Sequence, residues 1–169
     1  MTGRAILELP WTAPPLSLND RGRTPGARYA HARTVAEVRG TVHRLAQAAD
    51  LPRGLDHVTV QLHYRPRDNR RRDTDNLAAT AKPAYDALAA GTKTHPGYGM
   101  VPDDIPRHMA KPEPIIHPAE RGKPGALWIE ITWAEHAHDW DCLGVTDGQI
   151  QYECRDPSCG ATDSHPEDR

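Results

Sequence analysis

The chain has 169 residues, a net charge of −2 and a hydrophobic content of 37%, with 16 Pro, 13 Gly and no Phe. That length suits one domain with an appendage rather than two full domains, and the Pro- and Gly-rich composition argues against one large core and favours burial shared between two copies. No run approaches the roughly 18 apolar residues of a membrane span, and the opening MTGRAILELPW carries too short an apolar stretch for a secretory signal, so a cytoplasmic protein with no membrane partner is expected.

Residues 5–11 read as a strand ended by Pro10, and residues 12–27 have loop composition. Val35, Val38, Val42, Leu45 and Ala49 recur at helical spacing, which predicts a helix over 28–49, stopped by Pro52 and Gly54. HVTVQLHY (57–64) alternates as a half-buried strand. A second helix is expected over 76–90 with Asp75 as its N-cap. The glycines between 91 and 102 predict a mobile loop. Residues 107–117 read as one weak edge strand because of Pro112 and Pro114, and ALWIEITW (126–133) as a strong one opened by Gly125. The expectation is an α+β domain over residues 1–135, a small mixed sheet with two main helices in the order β-α-β-α-β-β, followed by a tail over 136–169.

Charge divides at the same place. Residues 136–169 hold eight acids and two bases, for −6, whereas residues 1–135 hold 19 bases and 15 acids, for +4. The first part suits a polyanionic partner; the tail does not.

Asp73 and Asp75 are one residue apart, which puts two carboxylates on one side of an extended segment. Such a pair repels, and a divalent cation relieves the repulsion by taking both as oxygen ligands. Asp103 and Asp104 supply a second pair. At 100° per residue, Lys82 and Asp86 share the helical face of Asp75, while Leu77, Ala81, Ala84 and Leu88 occupy the opposite one. Pro83 bends this geometry. A lysine beside such acids can stabilise charge on a phosphate. The same Asp pair also serves as a helix cap balanced by arginines, with no metal at all.

RRRDTDNL, KPAYDAL, a Gly-rich gap and VPDD, with LPW, Pro14-Pro15 and Asn19 before them and GALWIEIT after them, resemble the RusA family of Holliday-junction resolvases over about residues 5–135. The resemblance implies a RusA-like fold and a homodimeric, Mg²⁺-dependent endonuclease, with Mn²⁺ as a substitute, that nicks four-way DNA junctions in pairs during recombination and repair. It implies Asp73, Asp75 and Asp104 as catalytic acids holding Mg²⁺, Asp103 as a further acid of the metal site, Lys82 as the catalytic lysine, and a phage or prophage setting in a host-cell cytoplasm. Lys82 departs from the pattern: it lies seven residues after Asp75, where the family has four. Asp86 reads as a structural partner of Lys82. Two other readings stay open, a metal nuclease for other branched DNA and a non-enzymatic, zinc-containing DNA-binding protein.

Arg65, Arg67, Arg70, Arg71 and Arg72 run directly into the acidic pair. Guanidinium forks suit phosphate oxygens, so backbone-directed, salt-sensitive DNA binding is expected there, with Arg21, Arg23 and Arg28 as weaker candidates. In the tail, His138, Cys142, Cys154 and Cys159, the last two flanking Pro157, read as a small Cys₃His zinc ribbon around an Asp147-Gly148 turn. A segment this short needs such a staple. His136 and His165 are substitute ligands, and an acidic disordered tail is the alternative. The remaining histidines read as satisfied or solvent-exposed, with His95 the one nearest the acids. Trp11, Trp128 and Trp133 read as core or interface aromatics.

Overall fold

Alternation in three strands sets the architecture. The computed structural model describes residues 2–18, 24–134, 140–147, 149–154 and 162–166. In chain order its elements are β1 (Thr2–Leu9), α1 (Pro25–Ala48), β2 (Val58–Arg65), α2 (Asp75–Asp86), β3 (Met109–Ala110), β4 (Ile115–Ile116), β5 (Ala126–Ala134), β6 (Trp140–Thr146), β7 (Gln149–Cys154) and β8 (Thr162–Pro166). The chain divides into two compact units, residues 2–134 and residues 135–169 with Met1.

The first unit is α+β, a mixed sheet with two helices. β5 lies between β1 and β2 and is antiparallel to both, and β2 carries β3 and β4 as parallel neighbours. Leu7 and Leu9, then Val58, Val60, Leu62 and Tyr64, then Leu127, Ile129 and Ile131 are buried. They meet Val38, Val42 and Ala46 of α1 and Leu77, Ala81 and Ala84 of α2. The apolar stripes that predict the helices are therefore the faces that fill the core.

The boundaries differ in ways the hydrogen bonds explain. α1 starts earlier, at Pro25, because Thr24 caps it: its hydroxyl accepts from the Ala27 amide at 3.2 Å, and Pro at the first helical position sacrifices no bond. Asp75 is not the N-cap of α2 but its first helical residue, and Thr74 precedes it without a side-chain cap bond. α2 ends at Asp86 rather than near 90. The backbone of 87–90 turns instead to 97–101, through Tyr98 N–H to Ala87 O, Gly97 N–H to Ala90 O and Ala90 N–H to Val101 O. The stretch expected as a mobile loop is thus partly core, with Tyr98, Met100 and Val101 buried. Gly97 makes this possible: a Cβ there would collide with the Ala89 carbonyl oxygen. The single strand expected over 107–117 is two short pieces, separated by the stretch that holds Pro112 and Pro114.

In the second unit β6, β7 and β8 form an antiparallel meander. Asp147, at φ 54°, stands between β6 and β7. Among the described residues no helix is long and apolar enough to cross a membrane.

Candidate functional site

α2 carries the site because it ends where the 102–106 turn begins to pack on it. Asp86 is its last residue. Asp86 and Asp104 line the same two hollows, and each shifts the other's pKa. Lys82 approaches Asp86 at 3.3 Å, one helical turn away, and Arg39 of α1 approaches it at 3.6 Å. Lys111 donates to Asp104 at 3.0 Å and also to the Asp104 main-chain oxygen. Two carboxylates and three cations therefore meet at the end of one helix.

The two acids respond oppositely. Burial pushes the Asp86 carboxyl above the usual range; Lys82 pulls it down, and the Asp104 charge raises it further. The Lys111 hydrogen bond holds Asp104 below the usual range, against its own partial burial. Of the two, Asp104 therefore gives up its proton at the lower pH. Three hollows, of about 250, 350 and 430 Å³, all have Lys82 and Asp86 in their walls, and Asp104 lines the first two.

The other expected acids lie elsewhere. Asp73 and Asp75 flank the start of α2, both exposed, with the Asp73 carboxylate accepting from the Asp75 amide at 3.2 Å. Asp75 and Asp86 open and close the helix, so they are about 16 Å apart along its axis. The set Asp73, Asp75 and Asp104, expected to hold one or two Mg²⁺ ions, does not form a metal-holding group among the described residues. Asp104 joins Asp86 instead, the residue read from sequence as a structural partner of Lys82 alone. Asp103 is exposed, and its carboxylate accepts from the Asp104 amide at 2.7 Å. Among the described residues, no three His, Cys, Asp or Glu side chains form a group that could hold a metal ion.

The arginine run separates into tied and untied members. Arg65 is paired with Glu120 at 2.7 Å. Arg72 donates to Asp68 Oδ1 at 2.7 Å and to the main-chain oxygens of Asp68 and Arg70 at 2.6 and 2.9 Å. Arg70 reaches Asp68 only at 3.8 Å and is well exposed. Arg67 and Arg71 are exposed. Arg28 is exposed on the first turns of α1, and Arg21 and Arg23 lie outside the described residues.

Of the expected zinc ligands, Cys142 is described: it is exposed, in β6 opposite Tyr152, and forms no disulfide. Cys154 occupies the register position opposite Trp140; His138 and Cys159, and the substitute His136, lie outside the described residues.

Lys111, Glu113 and Arg39 were not singled out by sequence. None sits in a recognisable pattern. Glu113 accepts from the Thr74 hydroxyl, so it links the start of α2 to the β3–β4 segment. His63 and His117 also form an unanticipated unit on the sheet face away from the helices. With 2.9 Å between ring nitrogens and 5.2 Å between ring centres they meet edge to edge, and Trp128 lies nearly parallel to both. Burial and the neighbouring His117 lower the His63 pKa.

No protein-family model matches the chain. No curated protein matches it either.

Proposed function

We propose that the chain is a Mg²⁺-dependent, structure-selective endonuclease that resolves four-way DNA junctions by paired nicks, acting as a homodimer in a host-cell cytoplasm. The observation that carries this reading is the Asp86–Asp104 pair, which lines two adjoining hollows and is ringed by Lys82, Lys111 and Arg39. The resemblance of RRRDTDNL, KPAYDAL and VPDD to the RusA family adds the substrate class.

The donor set fits Mg²⁺ in one respect. This ion takes one or two protein carboxylates and leaves its other positions to water and phosphate oxygens, so Asp86 and Asp104 suffice where a closed cage is not needed. Mn²⁺ accepts the same oxygen donors. When bound, the ion would supply an activated water at neutral pH and positive charge against the phosphodiester. Lys82 and Arg39 hold the phosphate oxygens by charge. Lys111 keeps Asp104 ionised and oriented. Asp73 and Asp75, at the far end of α2, border the strand-binding surface that Arg67 and Arg71 supply and repel phosphates that stray from it. For the tail we propose a structural zinc held by His138, Cys142, Cys154 and Cys159; metal content of the full chain beside Cys142→Ser tests it, with the variant expected to lose the ion.

A second reading is favoured by one observation: three cations already surround the two carboxylates, so their charge is balanced without a metal. The chain would then be a zinc-containing DNA-binding protein. A nicking assay on a synthetic four-way junction, with Mg²⁺ or EDTA, separates the two. Wild type should give paired symmetric nicks only with Mg²⁺, and Asp104→Asn should bind without cutting. Undiminished cutting by Asp104→Asn would refute the metal site; preferred cutting of forks or flaps would replace the junction with another branched DNA.

A further inference from the structure

We propose that the hollow at the start of α2 receives one nucleotide displaced from its stack in the bound DNA. The inference rests on the nuclease reading for the source of that nucleotide. The hollow measures about 670 Å³, within the roughly 300–1,000 Å³ of small-molecule sites. Its walls are of two kinds. Leu16, Leu77, Ile116 and the Tyr64 ring give apolar and aromatic surface, whereas Arg71 and Asn76 give hydrogen-bonding groups.

Arg72 decides the chemistry of the wall. Its two Nη atoms donate to Asp68 and to two main-chain oxygens, which holds its guanidinium plane 5.9 Å from the Tyr64 ring centre. What it offers a ligand is a flat cationic face, and bases stack on guanidinium planes and aromatic rings alike. Arg71, exposed beside it, suits the attached phosphate. Asp73 lines the same hollow and repels that phosphate, which keeps it on the Arg71 side. A bare phosphate would leave the apolar wall uncovered, and an apolar ligand would leave Arg71 and Asn76 unused. A planar heterocycle with an anionic group on one side uses both. Enzymes that act on DNA extrude nucleotides into such pockets, most cheaply where stacking is already interrupted, as at a branch point.

The test uses the full chain, in EDTA so that no cutting occurs, with junctions carrying 2-aminopurine at successive positions beside the branch. Wild type should raise the emission several-fold at one position and not at its neighbours, and thymine placed there should become reactive to permanganate. Pro14→Trp, which puts an indole into the hollow from its loop wall, should abolish both signals at an unchanged unfolding temperature. Arg71→Ala, at an exposed position, should weaken them without affecting folding. Cutting in Mg²⁺ with no signal at any position, or signals that survive Pro14→Trp, would overturn the pocket and leave the nuclease reading standing. Signals without cutting would overturn the nuclease reading and leave the pocket. Absence of both would remove both.

Discussion

Asp86 and Asp104 are 18 positions apart in the chain, yet they line the same two hollows and each shifts the other's pKa, Asp86 upward and Asp104 downward. Asp86 is raised above 3.8, so the folded state keeps a proton that the unfolded chain has released. Its contribution to stability is full below 3.8 and declines as pH rises through the window up to its raised value. Asp104 is lowered, so its contribution is full above 3.8 and is lost as pH falls towards its folded value. Asp104→Asn removes the neighbouring negative charge and should bring the Asp86 pKa down. Carboxyl-carbon NMR titration reads this directly, and an Asp86 titration unmoved by the substitution would dissolve the pair. Mg²⁺ added to wild type should act in the same direction, displacing the Asp86 proton.

Tyr85 closes a gap in the sheet edge. β3 pairs with Val58 and Thr59 and β4 with His63 and Tyr64, which leaves the Leu62 amide uncovered, and the Tyr85 hydroxyl accepts from it at 2.7 Å. Tyr85→Phe should cost about 1–3 kcal/mol in urea denaturation, the penalty of a buried donor left without a partner. Burial also pushes the Tyr85 hydroxyl up from 10.0 to about 12. Between those values the unfolded chain loses its phenol proton and the folded chain does not, so stability falls as pH rises. Tyr85→Phe should flatten that alkaline slope.

Thr80 clamps the loop after β1 to α2. It is fully buried; its hydroxyl donates to the Leu16 carbonyl at 2.9 Å and accepts from the Leu16 amide at 3.2 Å. Thr80→Val keeps the shape but strands both groups, and a loss of about 1–3 kcal/mol is expected. Amide exchange at Leu16 should quicken in the variant; unchanged exchange would show that the loop is held by apolar contacts alone.

Salt dependence separates the arginines. Arg71→Ala or Arg67→Ala should reduce the slope of log affinity against log salt by about 1, the mark of one lost phosphate contact. Arg65→Ala and Arg72→Ala should leave the slope near wild type, because Glu120 and Asp68 already hold those side chains. Equal slopes for all four variants would mean that the tied pairs open on DNA.

Much of the first unit was legible in the sequence. The alternation of Val58, Val60, Leu62 and Tyr64, and of Leu127, Ile129 and Ile131, fixes which face of each strand is apolar, and the stripe through Val38 and Val42 does the same for α1. These are patterns among residues a few positions apart, and the backbone period alone converts them into buried faces. The pairing of the acids was not legible. Spacing puts Asp75, Lys82 and Asp86 on one face of a helix but does not say at which end of it Asp104 packs, and Lys111, Glu113 and Arg39 carry no pattern that marks them.

The sequence by itself determined the three long strands and two helices of the first unit, their buried faces, and the supply of carboxylates and guanidiniums near the second helix. The tertiary structure decided which of those groups meet. α2 stops at Asp86 because the backbone beyond it finds its hydrogen bonds in residues 97–101, and that stop sets Asp86 against Asp104. Contacts between residues so far apart in the chain follow from how the helix is ended and packed, which no local run of residues encodes.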